Sequence, residues 1–237
     1  MIKKGDFVEL DYTGRLKDDK IVFDTTVEEI AKSTPNYDPK HKYAPTIICV
    51  GESHLLPGLD DALIGKNPSK FTVEISAEKG FGKKQAGLLK LLPLKLFAKE
   101  NIQPYAGLDV NVDGQLGIVK TVSGGRVIVD FNHPLSGRDL VYDVDIKGII
   151  TDSLAQTRAL LNLFNIKFEN IDIIDEKASI MLKSKLPEEI TTELADNIKK
   201  LVKLKSVEIS EAKVAEKASK KEIKEIPAES KEESKEA

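Results

Sequence analysis

The sequence predicts an α+β protein: a sheet domain interrupted by a small β-rich block, then an α-β-β-α-β unit. Three observations carry this reading. Segments alternating apolar and polar residues with period two stand at 7–12 and 70–75, and again far downstream at 140–147. Between the latter two lies a block, 84–131, with its own leucine-rich and hairpin-like pieces. After Gly148 the pattern changes to two helix-period stripes interleaved with short alternating segments. A chain of 237 residues suits two or three such units.

In the first segment Val8, Leu10 and Tyr12 share one face and Glu9 and Asp11 the other, and Thr13-Gly14 predicts the strand's end. A short strand at 21–24 follows a charged turn. From 25 to 45, with Pro35, Pro39 and Pro45, a long surface excursion is predicted, with one helical turn near 27–31. An apolar strand at 47–50 leads to Leu55-Leu56-Pro57-Gly58-Leu59-Asp60-Asp61-Ala62-Leu63-Ile64-Gly65. There Leu59, Ala62 and Leu63 lie at i, i+3 and i+4, a short one-faced helix that Gly65 stops in the left-handed conformation. At 70–75 Phe71, Val73 and Ile75 point inward; at 140–147 Leu140, Tyr142, Val144 and Ile146 do the same.

Within the block, 88–97 is rich in leucine, is broken by Pro93 and shows no clean period. Segments 118–122 and 126–131 flank Ser123-Gly124-Gly125 and read as a hairpin. In the C-terminal unit, 151–207, Asp152 caps a helix to about Phe164 with Leu154, Leu161 and Phe164 on one side. Alternating segments follow at 168–174 and 178–183. Pro187 opens a second helix with Ile190, Leu194, Ile198 and Leu201 as its stripe, and a strand at 205–209 closes the unit. From 208 to 237 Lys and Glu dominate with no aromatic residue, a composition that predicts disorder.

The net charge of −3 gives no basic field for nucleic acid. Lys199, Lys200, Lys203 and Lys205 read as a solvated helix face, so nucleic acid or ribosome binding is not expected. Cys49 is alone in an apolar run and reads as a small buried hydrophobe. No signal-peptide pattern and no run of eighteen apolar residues is present, so no membrane and a cytoplasmic setting are expected. His41, His54 and His133 lack ligand spacing, so no metal and no cofactor is expected.

The segment 51–65 resembles the central motif of FKBP-type peptidyl-prolyl isomerases. Leu10-Asp11-Tyr12-Thr13-Gly14, Phe23-Asp24 and Glu78-Lys79-Gly80-Phe81-Gly82 agree with that family in order and spacing. Asn132-His133-Pro134-Leu135-Ser136-Gly137 leading into Leu140-Val141-Tyr142 is similar to the re-entry signature of SlyD-type and archaeal long-type members. The resemblance covers about residues 1–150. It implies an antiparallel half-barrel sheet wrapped on the short helix, in two pieces (1–83 and 132–150) around an inserted chaperone-like domain at 84–131. It also implies isomerisation of X-Pro bonds in unfolded or nascent proteins.

Isomerisation must overcome a barrier of roughly 20 kcal/mol set by amide resonance. An apolar cavity that disfavours the charge-separated resonance form lowers it without nucleophile or metal. A 10⁴-fold acceleration asks for only about 5.5 kcal/mol. The resemblance makes Tyr12, Phe23, Leu55, Leu56, Leu59 and Tyr142 the walls of the proline pocket, with Asp24 at its polar rim; by themselves the leucines read as core. Two positions depart from the family. Leu59 stands where many members have an aromatic floor. Phe81 stands where they have a tyrosine hydroxyl, whose bond is worth about 0.5–1.5 kcal/mol.

Leu88, Leu89, Leu91, Leu92, Leu94, Leu96 and Phe97 are more apolar than a small domain needs, so they either fill its core or form in part a client-binding patch. The expected partners are unfolded or proline-containing polypeptides. A homodimer through the C-terminal unit stands beside a monomeric module that docks on another protein. A chaperone or assembly factor with a vestigial pocket is the alternative function.

Overall fold

Ten residues, none of them fully exposed, make β1 (Phe7–Leu16) the spine of the first sheet. One edge pairs along its whole length with β9 (Leu140–Ile150). The other edge is shared: Phe7 to Leu10 pair with β3 (Thr46–Cys49), and Thr13 to Arg15 with β2 (Val22–Thr25). β4 (Lys70–Ile75) lies on the far side of β9, and every pairing is antiparallel. The structure is a computed structural model and describes residues 1–211. The chain is thus α+β, with an antiparallel sheet packed on α2 (Pro57–Leu63). Val8, Leu10, Ile48, Leu59, Leu63, Ile75 and Leu140 close that core.

Pro57, which has no N–H to satisfy, starts α2. Gly65 is left-handed at φ +80° as expected, but the helix is already broken at Ile64, whose backbone is extended, and the Gly65 N–H donates to the Ile2 carbonyl. A one-turn helix, α1 (Glu28–Lys32), lies within the long excursion. The first strand, however, does not end at Thr13-Gly14. Gly14 is there for proximity, since a Cβ on it would sit 2.8 Å from both Phe23 Cζ and Tyr142 Cε1. A turn signal in the sequence was in fact a place where two rings press on the backbone.

The inserted block is a four-stranded antiparallel sheet in the order β5 (Leu89–Pro93), β8 (Arg126–Asp130), β7 (Gln115–Ser123), β6 (Asp109–Val112). Its core is Phe97, Val110, Val119, Val127 and Val129. The hairpin turns at Gly124 and Gly125, both at positive φ as a two-residue loop of this kind needs. The leucine-rich stretch is two elements: β5, and then α3 (Leu94–Lys99) starting directly after Pro93. Each is too short to show a period.

In the C-terminal unit α4 (Ser153–Leu163) is capped as expected, Asp152 Oδ2 accepting from the Ala155 N–H at 2.8 Å. β10 (Phe168–Ile174) and β11 (Lys177–Leu182) form a hairpin. α5 (Glu188–Val202) then carries the chain to β12 (Ser206–Glu211), which pairs parallel with β11. Two stripe residues are corrected. Phe164 is 46% exposed and Ile190 48% exposed, while Leu160 and Val202 take inward places. The charged tail was expected from 208, but 208–211 belong to β12; the rest lies outside the described residues.

This unit rests on the outer face of the first sheet. Phe7 and Cys49 point away from α2 and join Leu160, Leu161, Ile171, Ile180, Leu194 and Ile198 in one core. Burial also pushes the Cys49 thiol pKa up to about 11, followed by the nearby Glu52, and Cys49 is the small buried residue its apolar run suggests. Removing a buried phenylalanine costs about 3–5 kcal/mol. Phe7→Ala is expected to lower the urea-unfolding free energy by about that much and to split one transition into two, as the C-terminal unit loosens before the sheet. A single transition at the wild-type midpoint would contradict this coupling.

Candidate active site

Four aromatic rings from different segments meet beside the inner core. Tyr12 and Tyr142 stand on the adjacent strands β1 and β9 with ring centroids 5.9 Å apart. Phe23, on β2, meets Tyr142 edge-on at 5.8 Å and Phe81, from the turn after β4, edge-on at 5.8 Å. Leu55, Leu56, Phe23 and Phe81 are partly buried against this core, while Leu59 and Tyr142 are fully within it. The structure therefore brings together all eight residues, Tyr12, Phe23, Asp24, Leu55, Leu56, Leu59, Phe81 and Tyr142, with Leu59 as packing beneath the surface.

Hydroxyl groups fix the register of the two strands that present the rim. Thr13 Oγ1 and Thr25 Oγ1 are 2.8 Å apart in a buried pair, directly across the β1–β2 ladder. One residue on, Asp24 is exposed, and Tyr12 Oη donates to its Oδ2 at 3.0 Å. Burial raises the Tyr12 pKa above its ordinary value, and the Asp24 carboxylate adds to the effect. The Tyr142 pKa is raised by the same two causes in the same order. Both phenols stay neutral in the working range. A cavity of about 270 Å³ opens beside Phe23 and Asp24, bounded further by Asn36, His41 and Tyr43.

His133, which the sequence gives only as part of the re-entry motif, accepts at Nδ1 from the Leu135 N–H at 3.2 Å. It also stacks flat on Phe81, with centroids 4.5 Å apart and planes 5° from parallel. Ser136 Oγ donates to the Phe81 carbonyl at 3.0 Å, and the Gly137 N–H to the Gly82 carbonyl at 2.8 Å. The two ends of the insert are thus fastened to each other at the edge of the aromatic cluster. Only the quoted motif Asn132-His133-Pro134-Leu135 signalled this, without its partner.

The seven apolar residues of the insert divide. Phe97 is 4% exposed and fills the small core, with Leu92 and Leu94 packed against it, so these three offer no binding surface. Leu88 is half-buried at the neck, where its carbonyl accepts the Phe131 N–H. Leu89, 45% exposed, and Leu91, 53% exposed, lie on the open face of β5, and Leu91 faces the exposed Ile128 across the ladder. Leu96 is exposed on α3.

A profile for FKBP-type peptidyl-prolyl cis-trans isomerase matches residues 1–109, and one described as FKBP26, IF domain, matches residues 90–135. The chain is 34% identical over 150 residues to the short-type peptidyl-prolyl cis-trans isomerase of Methanocaldococcus jannaschii, covering 63% of this chain and 94% of that one. It is 28% identical over 111 residues to the FKBP-type 16 kDa peptidyl-prolyl cis-trans isomerase of Escherichia coli, covering 44% and 74%. With the FKBP-type isomerase SlyD of Vibrio cholerae it shares 27% identity over 153 residues, covering 62% and 68%.

The two raised tyrosine pKa values set the sign of a stability effect. The folded state holds these protons more tightly than the unfolded chain, so the stabilisation is full below about pH 10 and declines above it. Urea midpoints measured from pH 8 upward are expected to fall above about pH 10. Tyr12→Phe should remove part of that fall; an identical fall in the variant would contradict the assignment.

Proposed function

Because the chain belongs to the FKBP-type peptidyl-prolyl cis-trans isomerase family, we propose that the Tyr12–Phe23–Tyr142 cluster binds the proline. We propose also that the inserted sheet holds the polypeptide that carries it. Isomerase activity itself follows from the family. The observation that supports the pocket reading is the Tyr12–Asp24 bond, which sets a carboxylate at the edge of an otherwise aromatic and aliphatic surface.

A prolyl ring laid against Phe23, Leu55 and Leu56 loses water on one side of its amide. The charge-separated resonance form is then less favoured and the C–N bond twists more freely. Asp24, exposed beside the cluster, faces the carbonyl carbon, which loses the electrons donated by nitrogen and becomes more electron-poor as the bond twists. Tyr12 keeps that carboxylate in place and is kept by it. Phe81 has no hydroxyl to give, and its stacking on His133 makes it a wall. Asp24→Ala is expected to lower kcat/KM on a short X-Pro peptide about tenfold, and Tyr12→Phe about threefold, by the worth of one hydrogen bond. Wild-type rates in both variants would refute the pocket.

Client holding by the insert is supported by Leu89, Leu91 and Ile128, which form an apolar patch on β5 and its neighbour. β5 is also an edge strand, with backbone groups open to an extended chain. Unfolded or nascent chains in the cytoplasm are the class of client this patch suits. Replacing Leu89, Leu91 and Ile128 together by serine should leave short-peptide isomerisation unchanged and cut catalysed refolding of a proline-limited protein by about tenfold, roughly 1.4 kcal/mol of client binding. Equal rates on both substrates would sink the client-holding role.

A further inference from the structure

The pocket rim opens on one side into a larger cleft of about 820 Å³, within the roughly 300–1,000 Å³ of ligand clefts. Tyr12 and Asp24 stand at its head; residues 40–46 form one wall and α4 of the C-terminal unit the other. The first wall is built and not loose. Tyr43 stacks on Tyr37 at 5.7 Å, His41 meets Tyr43 edge-on at 4.7 Å, and Tyr43 Oη accepts the Asp38 N–H at 3.1 Å. The second wall is a helix anchored through Leu160 and Leu161 in the core shared with Phe7.

The charges along this cleft are unequal in their engagement. Asp24 is bonded to Tyr12 and Asp152 caps α4. Lys40, Lys42 and Arg158 are exposed, and among the described residues none has a carboxylate within the 4.0 Å of an ion pair. Leu154 and Leu163 on α4 supply apolar contact between them.

We propose that this cleft holds the stretch of substrate polypeptide flanking the proline, and that Lys40, Lys42 and Arg158 select acidic residues there. The proposal rests on the pocket reading, since the cleft is continuous with Tyr12 and Asp24. Its occupant follows from that continuity and from the three cations. The whole chain carries a net charge of −3, so a preference for acidic flanks has to come from local charges and not from the overall field.

The test uses the full chain and X-Pro peptides of equal length whose flanks carry Glu, Gln or Lys. A short capped X-Pro peptide that ends before the cleft serves as control. Glu flanks are expected to lower KM about threefold per cation engaged relative to Gln, with kcat unchanged, and Lys flanks to raise it. In Arg158→Glu combined with Lys42→Glu the Glu-to-Lys ratio of kcat/KM should invert. Because that ratio is internal to each preparation, partial loss of folded protein does not alter it. Equal KM across the flanks, or an unaltered ratio in the double variant, with the short peptide still turned over, would overturn the cleft and leave the pocket standing. No turnover of the short peptide would overturn the pocket reading itself.

Discussion

β1 is hydrogen-bonded along both edges, and most of the protein is arranged by that fact. One edge is taken whole by β9, and the other is divided between β3 and β2. A strand held this way cannot slip by one residue without turning every side chain to the wrong face. Its inner side chains therefore arrive at fixed places, Val8 and Leu10 in the core and Tyr12 at the aromatic cluster. Its outward Phe7 is equally fixed, and on it the C-terminal unit is seated. The site and the extra domain are two faces of one ladder.

The insert is tied to the same ladder with little material. Asn132 bridges the neck twice, its Oδ1 accepting the Gln85 N–H at 2.8 Å and its Nδ2 donating to the Gln85 carbonyl at 3.1 Å. Asp130, nearly buried, accepts from the Asn132 N–H and Nδ2 and from Lys84 Nζ. The His133–Phe81 stack lies just beyond. The inserted sheet and the aromatic cluster are thus joined by a short polar splice, where the chain leaves and re-enters the first sheet.

Much of this was legible in the residues. The alternation at 70–75 and 140–147, Gly65 after α2 and Asp152 before α4 each carried a local signal, and each holds. The order of the motifs made the eight clustered residues nameable before any was placed. What escaped did so for physical reasons. Pro93 joins two elements too short to show a period. β6 was overlooked although Asp113-Gly114, both at positive φ, is a strong hairpin signal. Gly14 looked like a turn because a sequence does not reveal which rings will crowd a backbone. The stack of His133 on Phe81, and the cleft between residues 40–46 and α4, exist only once distant segments have docked.

The pairing of β1 with β9 has a consequence in time as well as in space. Leu16 meets Leu140 and Phe7 meets Ile150, so the spine of the sheet waits for a partner made long after it. At roughly 5–20 residues per second of synthesis that delay is about six to thirty seconds. The insert, whose strand pairings all fall between Leu89 and Asp130, completes itself inside the interval. It can fold while β1 is still a bare edge, and in doing so it draws the two halves of the outer sheet toward each other. The loop-closure entropy saved is small, under about 0.6 kcal/mol for less than a halving of loop length, so the gain lies in order of events and not in final stability. A protein that attends to slow steps in other chains has a late, non-local closure of its own.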